Sequence, residues 1–306
     1  MREKWHSWFD YRWGLWAGLT WMACGYFRQR QWELEAESIL IDRWLLLVFL
    51  VLRELPTWWY SVRMALRRPH DKSRELQVTR ATWVVPMHHM LGHIFVLCVL
   101  IASYGRVWTF ADVGFRTASP WSWTILVGLL CCRFMIMAQD VLARFLYRQN
   151  AELEEQHHRL FVSMQLARGR VAQILDVINS GIVCPIHEEL VYRGFLVYML
   201  ANLTQLPWLA ILFGLVLCLI VHLYQGWWAI PAHILFYATF VALLFSPAGL
   251  LAGISMHVAN NTDTWIRGLI FASEYVAVRR AFRLQRQDQR ALTNKAVEEV
   301  SLQPAR

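Results

Sequence analysis

From Pro207 to Val221 the chain reads PWLAILFGLVLCLIV, an uncharged apolar run. At about 1.5 Å rise per residue, a helix of this kind carries most of the way through a hydrocarbon layer about 30 Å thick. Comparable runs lie on both sides of it, and the pattern predicts membrane spans at about 13–27, 40–59, 82–103, 121–146, 174–201, 207–224, 228–246 and 249–271. The second is the weakest, since Arg43 and Arg53 bracket its most apolar part. Composition points the same way. Of 306 residues, 57% are hydrophobic and only 17% charged, against roughly 45–50% apolar residues in a soluble domain. The expected fold is an all-α, polytopic integral membrane protein of about eight transmembrane helices. A soluble globule, a disordered chain and a secreted disulfide scaffold are disfavoured.

The net charge of +8 would suit a nucleic-acid partner if the basic residues shared one domain, but they recur at intervals between the apolar stretches. With eight spans both termini share one side of the membrane. That side collects 20 Arg and Lys, against 4 in the opposite loops at 28–38 and 104–120. By the positive-inside tendency, both termini are expected in the cytoplasm and no nucleic acid is expected as a partner. The chain divides into N-terminal transmembrane helices and loops (1–120), a helical core (121–275) and a polar basic tail (276–306), with a cytoplasmic helix expected at 148–173. Cys24, Cys98, Cys131, Cys132, Cys184 and Cys218 all lie in apolar stretches without a CxxC pair and read as small buried hydrophobes. Arg2, Lys4 and Arg12 precede the first apolar stretch, which lacks a clear small-x-small cleavage site, so a retained first helix is expected.

Ionisable residues inside the last four spans carry the functional signal, because charge at membrane depth is costly unless paired or hydrated. Glu188 and Glu189 are adjacent in the fifth span, and Arg193 follows Glu189 by four residues on the same helical face. Glu189 and Arg193 can neutralise each other, while Glu188 is turned about 100° away. A carboxylate left free has the chemistry of a general base; read as structure, the same cluster is an interhelical ion pair. His222 closes the sixth span, and His257 precedes Asn261 by four residues in the eighth. A lone histidine in a membrane most simply bonds a neighbouring helix. The full set supplies more: a base, imidazoles to position water and an amide donor for an oxyanion. Pro185 should kink or break the helix just before Glu188, which a membrane tolerates where the freed carbonyls face protein or a water-filled cavity.

Metal readings compete. His187-Glu188 begins like HExxH, but residue 191 is Val, so the zincin helix is absent. Glu188, His222 and His257 remain an alternative zinc set, and His89 and His93 have a chelating i, i+4 spacing beside His88 but no acid close in sequence. His233 has no partner at useful spacing and reads as a packing residue. Trp58, Trp59, Tyr60, Trp227 and Trp228 read as an interfacial belt.

The stretch CPIHEELVYRGF resembles the Glu-Glu-x-x-x-Arg-Gly signature of the CPBP (Abi) intramembrane proteases, which include the eukaryotic CAAX prenyl endopeptidases. HLYQGW and HVANN are similar to the family's Phe-x-x-x-His and His-x-x-x-Asn motifs, in matching order over about 175–271, and FADVGFRTASPWSW at 110–123 resembles the linker before its core. The resemblance implies a glutamate endopeptidase in which Glu188 activates water with help from His222, Glu189 pairs with Arg193, and His257 and Asn261 stabilise the oxyanion. Cys218 stands where the family carries Phe, so altered substrate fit with unchanged chemistry is expected. The implied substrate is a membrane-associated protein or peptide, including a lipidated one, with membrane lipid as the surround and no cofactor. A non-catalytic scaffold or immunity protein of the same fold and a proton-coupled transporter are the rival readings.

Overall fold

The computed structural model describes residues 17–29, 36–67, 84–116, 120–149 and 170–266. Every regular element among them is helical; the one pairing of strand type is an isolated bridge between Tyr104 and Trp108. In chain order the helices are α1 (17–29), α2 (Ala36–Ala65), α3 (Val84–Ser103), α4 (Trp121–Gln149), α5 (170–204), α6 (Pro207–His222), α7 (Ile230–Phe245) and α8 (249–266). The fold is all-α, and a helix lies at each of the eight predicted places. The tail, and all but the two ends of the expected helix at 148–173, lie outside the described residues.

Two helices are long and apolar enough to cross a membrane, Trp121–Phe145 with 25 residues and Pro207–Gln225 with 19; His89–Ser103 and Ile230–Phe245 are apolar but shorter. The expectation of eight spans therefore reduces, among the described residues and by length and composition, to two. Both are exposed where a soluble core helix would be covered: only 22% and 28% of their most apolar windows are buried. Leu129, Leu130, Phe134, Met137 and Val141 point outward from α4, a contiguous greasy surface that water would not tolerate and a lipid surround would.

Two buried clusters divide the interior. One joins Leu46 and Leu50 of α2, Val96 and Leu100 of α3, Phe195 and Leu196 of α5, and Leu217 and Val221 of α6. The other joins Met135 of α4, Phe236 and Phe240 of α7, and Met256 of α8. Small residues set the close approaches. A Cβ at Gly128 would collide with the backbone carbonyl of Ala252, so α4 and α8 touch main chain to main chain. The turn before α4 is clamped from three sides. Its Gly114, at φ 86°, accepts a hydrogen bond from the Leu250 N–H (2.9 Å) at the start of α8. Val113 lies against Gly194 of α5, and Asp112 pairs with Arg43 of α2 at 3.0 Å. Arg43, expected to weaken the second span, is thus held at the end of the bundle.

Candidate active site

Helix α5 carries the acids, and its backbone departs from regular α geometry at both sides of them. A π-helical segment, Asn179–Val183, leads into the α-helical turn Cys184–Glu188, and a second π segment runs Glu189–Met199. Long π runs are rare, and π turns concentrate at functional sites. The proline accounts for the first. In the π segment the Cys184 N–H bonds the Asn179 carbonyl, five residues back; Pro185 has no N–H, so the next carbonyl, that of Ser180, loses its donor. The Asn261 side chain on α8 supplies it, donating to the Ser180 carbonyl at 2.9 Å. The predicted break at Pro185 is therefore a continuous helix with a widened turn, and Asn261 bridges it.

The two carboxylates sit in different surroundings. Glu189 is fully buried. Its Oε1 accepts the His257 Nδ1–H at 2.8 Å and lies 3.4 Å from Arg193 Nη1, so the expected i, i+4 pair forms and α8 adds a second partner. Gly253 leaves the room: a Cβ there would stand 3.4 Å from Glu189 Oε2 and 3.3 Å from Phe240. Arg193 is 2% exposed, with its guanidinium 4.8 Å over the Phe240 ring and Nη2 3.7 Å from the Cys218 thiol. Glu188 keeps 14% of its side chain exposed; its Oε1 accepts the Cys184 thiol at 3.1 Å, and its Oε2 faces His257 Nε2 at 3.8 Å, beyond hydrogen-bond length.

Tautomers follow from the acceptors. Carboxylate and carbonyl oxygens only accept, so His257 carries its proton on Nδ1 and turns Nε2 toward Glu188. His222 donates Nδ1–H to the Cys218 carbonyl at 2.8 Å, which leaves Nε2 as its lone-pair nitrogen. All six predicted residues thus belong to α5, the end of α6 and α8, with Glu188, Glu189, Arg193 and His257 in one cluster, His222 on its edge and Asn261 committed to the α5 backbone.

Several assignments change. His233 is a partner of the site: it stacks on His222 with ring centroids 4.1 Å apart and bonds Gln225 at 3.1 Å. Trp58 does not belong to an outer belt, since its indole N–H donates to the Tyr192 hydroxyl at 3.3 Å inside the bundle; Trp59 and Trp227 are exposed. Cys218 lies under Arg193 and beside His222, and the rings against the guanidinium come from Phe240 and Tyr237 of α7. His93 stacks on His187 at 4.4 Å while His89 is exposed, so that spacing does not make a chelate. Among the described residues no three His, Cys, Asp or Glu side chains gather as a metal-holding set. Cys184, expected to be a small buried hydrophobe, is a donor to Glu188, and spacing does not point to Glu54 or Tyr192; an acid within the apolar stretch LLLVFLVLRELP is the available signal for Glu54.

Residues 170–262, which hold every member of this cluster, match the family described as type II CAAX prenyl endopeptidase Rce1-like. Over this stretch the chain is similar to the Rce1-like members of the CPBP family. No curated protein and no solved structure matches the chain. The matched family is one of membrane-embedded proteases, which supports peptide hydrolysis at the family level, and the outward apolar faces of α4 and α6 fit a membrane setting.

Proposed function

We propose that the chain is an intramembrane endopeptidase that hydrolyses a peptide bond of a membrane-associated, CAAX-like protein with water activated by Glu188. The observation that carries this is the unequal treatment of two adjacent acids: Glu189 is locked by Arg193 and His257, while Glu188 has a single thiol donor and partial exposure. In this mechanism Glu188 takes a proton from water as its oxygen attacks the scissile carbonyl carbon. His222, through Nε2, orients that water. The oxyanion is met by the second N–H of the Asn261 amide, the first being held by Ser180, and by His257 in its doubly protonated form, whose Nε2–H donates while Nδ1–H stays on Glu189. Collapse breaks the C–N bond, and the proton held by Glu188 passes to the departing amine. No metal enters these steps.

The name of the matched family supports a prenylated cysteine followed by a short C-terminal peptide as the substrate class. The eight helices in sequence order and the 20-to-4 basic asymmetry support eight crossings with cytoplasmic ends, with α4 to α8 as the catalytic core. The test is cleavage of farnesylated and unmodified CAAX peptides by purified protein in nanodiscs, with 1,10-phenanthroline in parallel. Glu188→Gln and His257→Ala should each lower kcat by about 10²–10⁴-fold with folding retained, and the chelator should have no effect. Full activity of Glu188→Gln would refute the assignment of the base. Chelator-sensitive cleavage would favour a zinc mechanism, and proton-coupled flux without peptide products would favour a transporter.

A further inference from the structure

A second buried polar centre lies where α2 and α3 meet α5, and the proposed reaction makes no use of it. Glu54 of α2, 4% exposed, accepts the Tyr192 hydroxyl at 2.8 Å through Oε2. Trp58, one turn further along α2, donates to the same hydroxyl at 3.3 Å. Glu54 Oε1 lies 3.6 Å from His187 Nε2, and the buried His187 ring stacks on His93 of α3. Tyr192 and His187 are five residues apart and flank the Glu188–Glu189 pair along α5. One carboxylate on a neighbouring helix therefore hydrogen-bonds the acid-bearing helix after the acids, through Tyr192, and faces it before them, at His187, from just beyond hydrogen-bond length.

The hold through Tyr192 has a physical reason. A carboxylate taken from water is tolerated only with good partners, so the geometry that supplies them is held tightly. Glu188 has weak restraints of its own, a thiol donor and an imidazole at 3.8 Å, so its place is set largely by the rotation of α5. We infer that Glu54 is a positioning residue for the proposed reaction, acting through Tyr192 and His187 to fix that rotation. The catalytic unit then extends into α2, outside the matched residues 170–262. This inference rests on Glu188 being the base.

The test uses the full chain in nanodiscs and a farnesylated CAAX peptide, with kcat and KM measured for wild type, Glu54→Leu, Glu54→Gln, Tyr192→Phe, the Glu54→Leu/Tyr192→Phe pair and Glu188→Ala. Misplacement of reacting groups by about 1 Å can cost about 10²-fold, so Glu54→Leu should lower kcat by about 10- to 100-fold and leave KM within about threefold. Glu54→Gln, which keeps an acceptor for the Tyr192 hydroxyl, should recover most of the rate. Tyr192→Phe should lower kcat alone and add little to Glu54→Leu. If Glu54→Leu does not fold, Tyr192→Phe, which removes one oxygen, carries the same test. Unchanged kcat in Glu54→Leu or Tyr192→Phe, a loss confined to KM, or losses that multiply in the pair would overturn the inference. Glu188→Ala separates it from the proposed function: an inactive Glu188→Ala beside a normal Glu54→Leu sinks the positioning role alone, whereas an active Glu188→Ala sinks the base and the inference that rests on it.

Discussion

Arg193 offers the sharpest test of how the bundle tolerates its buried charge. The guanidinium is 2% exposed and spans Glu189 Oε1 at 3.4 Å, the Cys218 thiol at 3.7 Å and the Phe240 ring at 4.8 Å. Truncation to leucine leaves Glu189 fully buried with the His257 N–H as its remaining donor. Removing one partner of a buried pair costs about 3–5 kcal/mol, because the other charge stays in place. Replacing both partners with apolar residues is often close to neutral, so Glu189→Met/Arg193→Leu should recover most of that loss. It should fall short by about 1–3 kcal/mol, since the His257 Nδ1–H then has no acceptor. Reversible unfolding in mixed micelles, followed by tryptophan fluorescence, gives the four corners of the cycle. All three variants should be inactive, so activity does not enter. An Arg193→Leu stability within about 1 kcal/mol of wild type, or a double variant equal to the sum of the singles, would refute the reasoning.

Three further outcomes follow from named contacts. Gly128→Ala should lose about 1–3 kcal/mol, because the new methyl meets the Ala252 carbonyl, which is backbone and cannot rotate away; unfolding against wild type measures it. Cys218→Phe should destabilise by a similar amount through overpacking between Arg193 and His222, whereas Cys218→Ala should fold normally; equal stability of the two would contradict the contact. Asn261→Ala should cost about 1–3 kcal/mol by orphaning the Ser180 carbonyl in addition to slowing cleavage, and a slow variant of unaltered stability would show the amide serving chemistry alone.

Spacing along one helix was legible in the sequence, and spacing between helices was not. Arg193 four residues after Glu189 predicts a shared face, and the pair forms at 3.4 Å. The same rule applied to His257 and Asn261 places both on one face, yet their partners, Glu189 and Ser180, sit on α5, and no periodicity names them. Helix positions were readable for the same reason, since each apolar run reports its own burial or lipid exposure. His233 and Glu54 were hidden because their partners lie on other turns of the chain: His222 across the 223–229 connection, and Tyr192 on a helix 138 residues later. The π segments were hidden too. Pro185 announces a lost donor, but whether the helix breaks or widens depends on whether another helix offers a replacement, and Asn261 does.

That replacement keeps α5 continuous through the acids, two identical side chains one residue apart that differ in role. Adjacent residues on a helix lie about 100° apart, so the acids sit on different faces of α5. Glu189 points into the seam with α8, where His257 and Arg193 saturate one oxygen and Gly253 makes space for the other. Glu188 points to where His257 turns its second nitrogen and where solvent still reaches. His257 touches the locked acid through Nδ1 and faces the free one through Nε2, so any shift of α8 against α5 moves both together. Environment, and not residue type, divides a structural carboxylate from a reactive one. The division depends on the register between α5 and α8, which Asn261 bridges directly, Gly253 gives room for, and the Leu250–Gly114 hydrogen bond supports by tying α8 to the turn before α4.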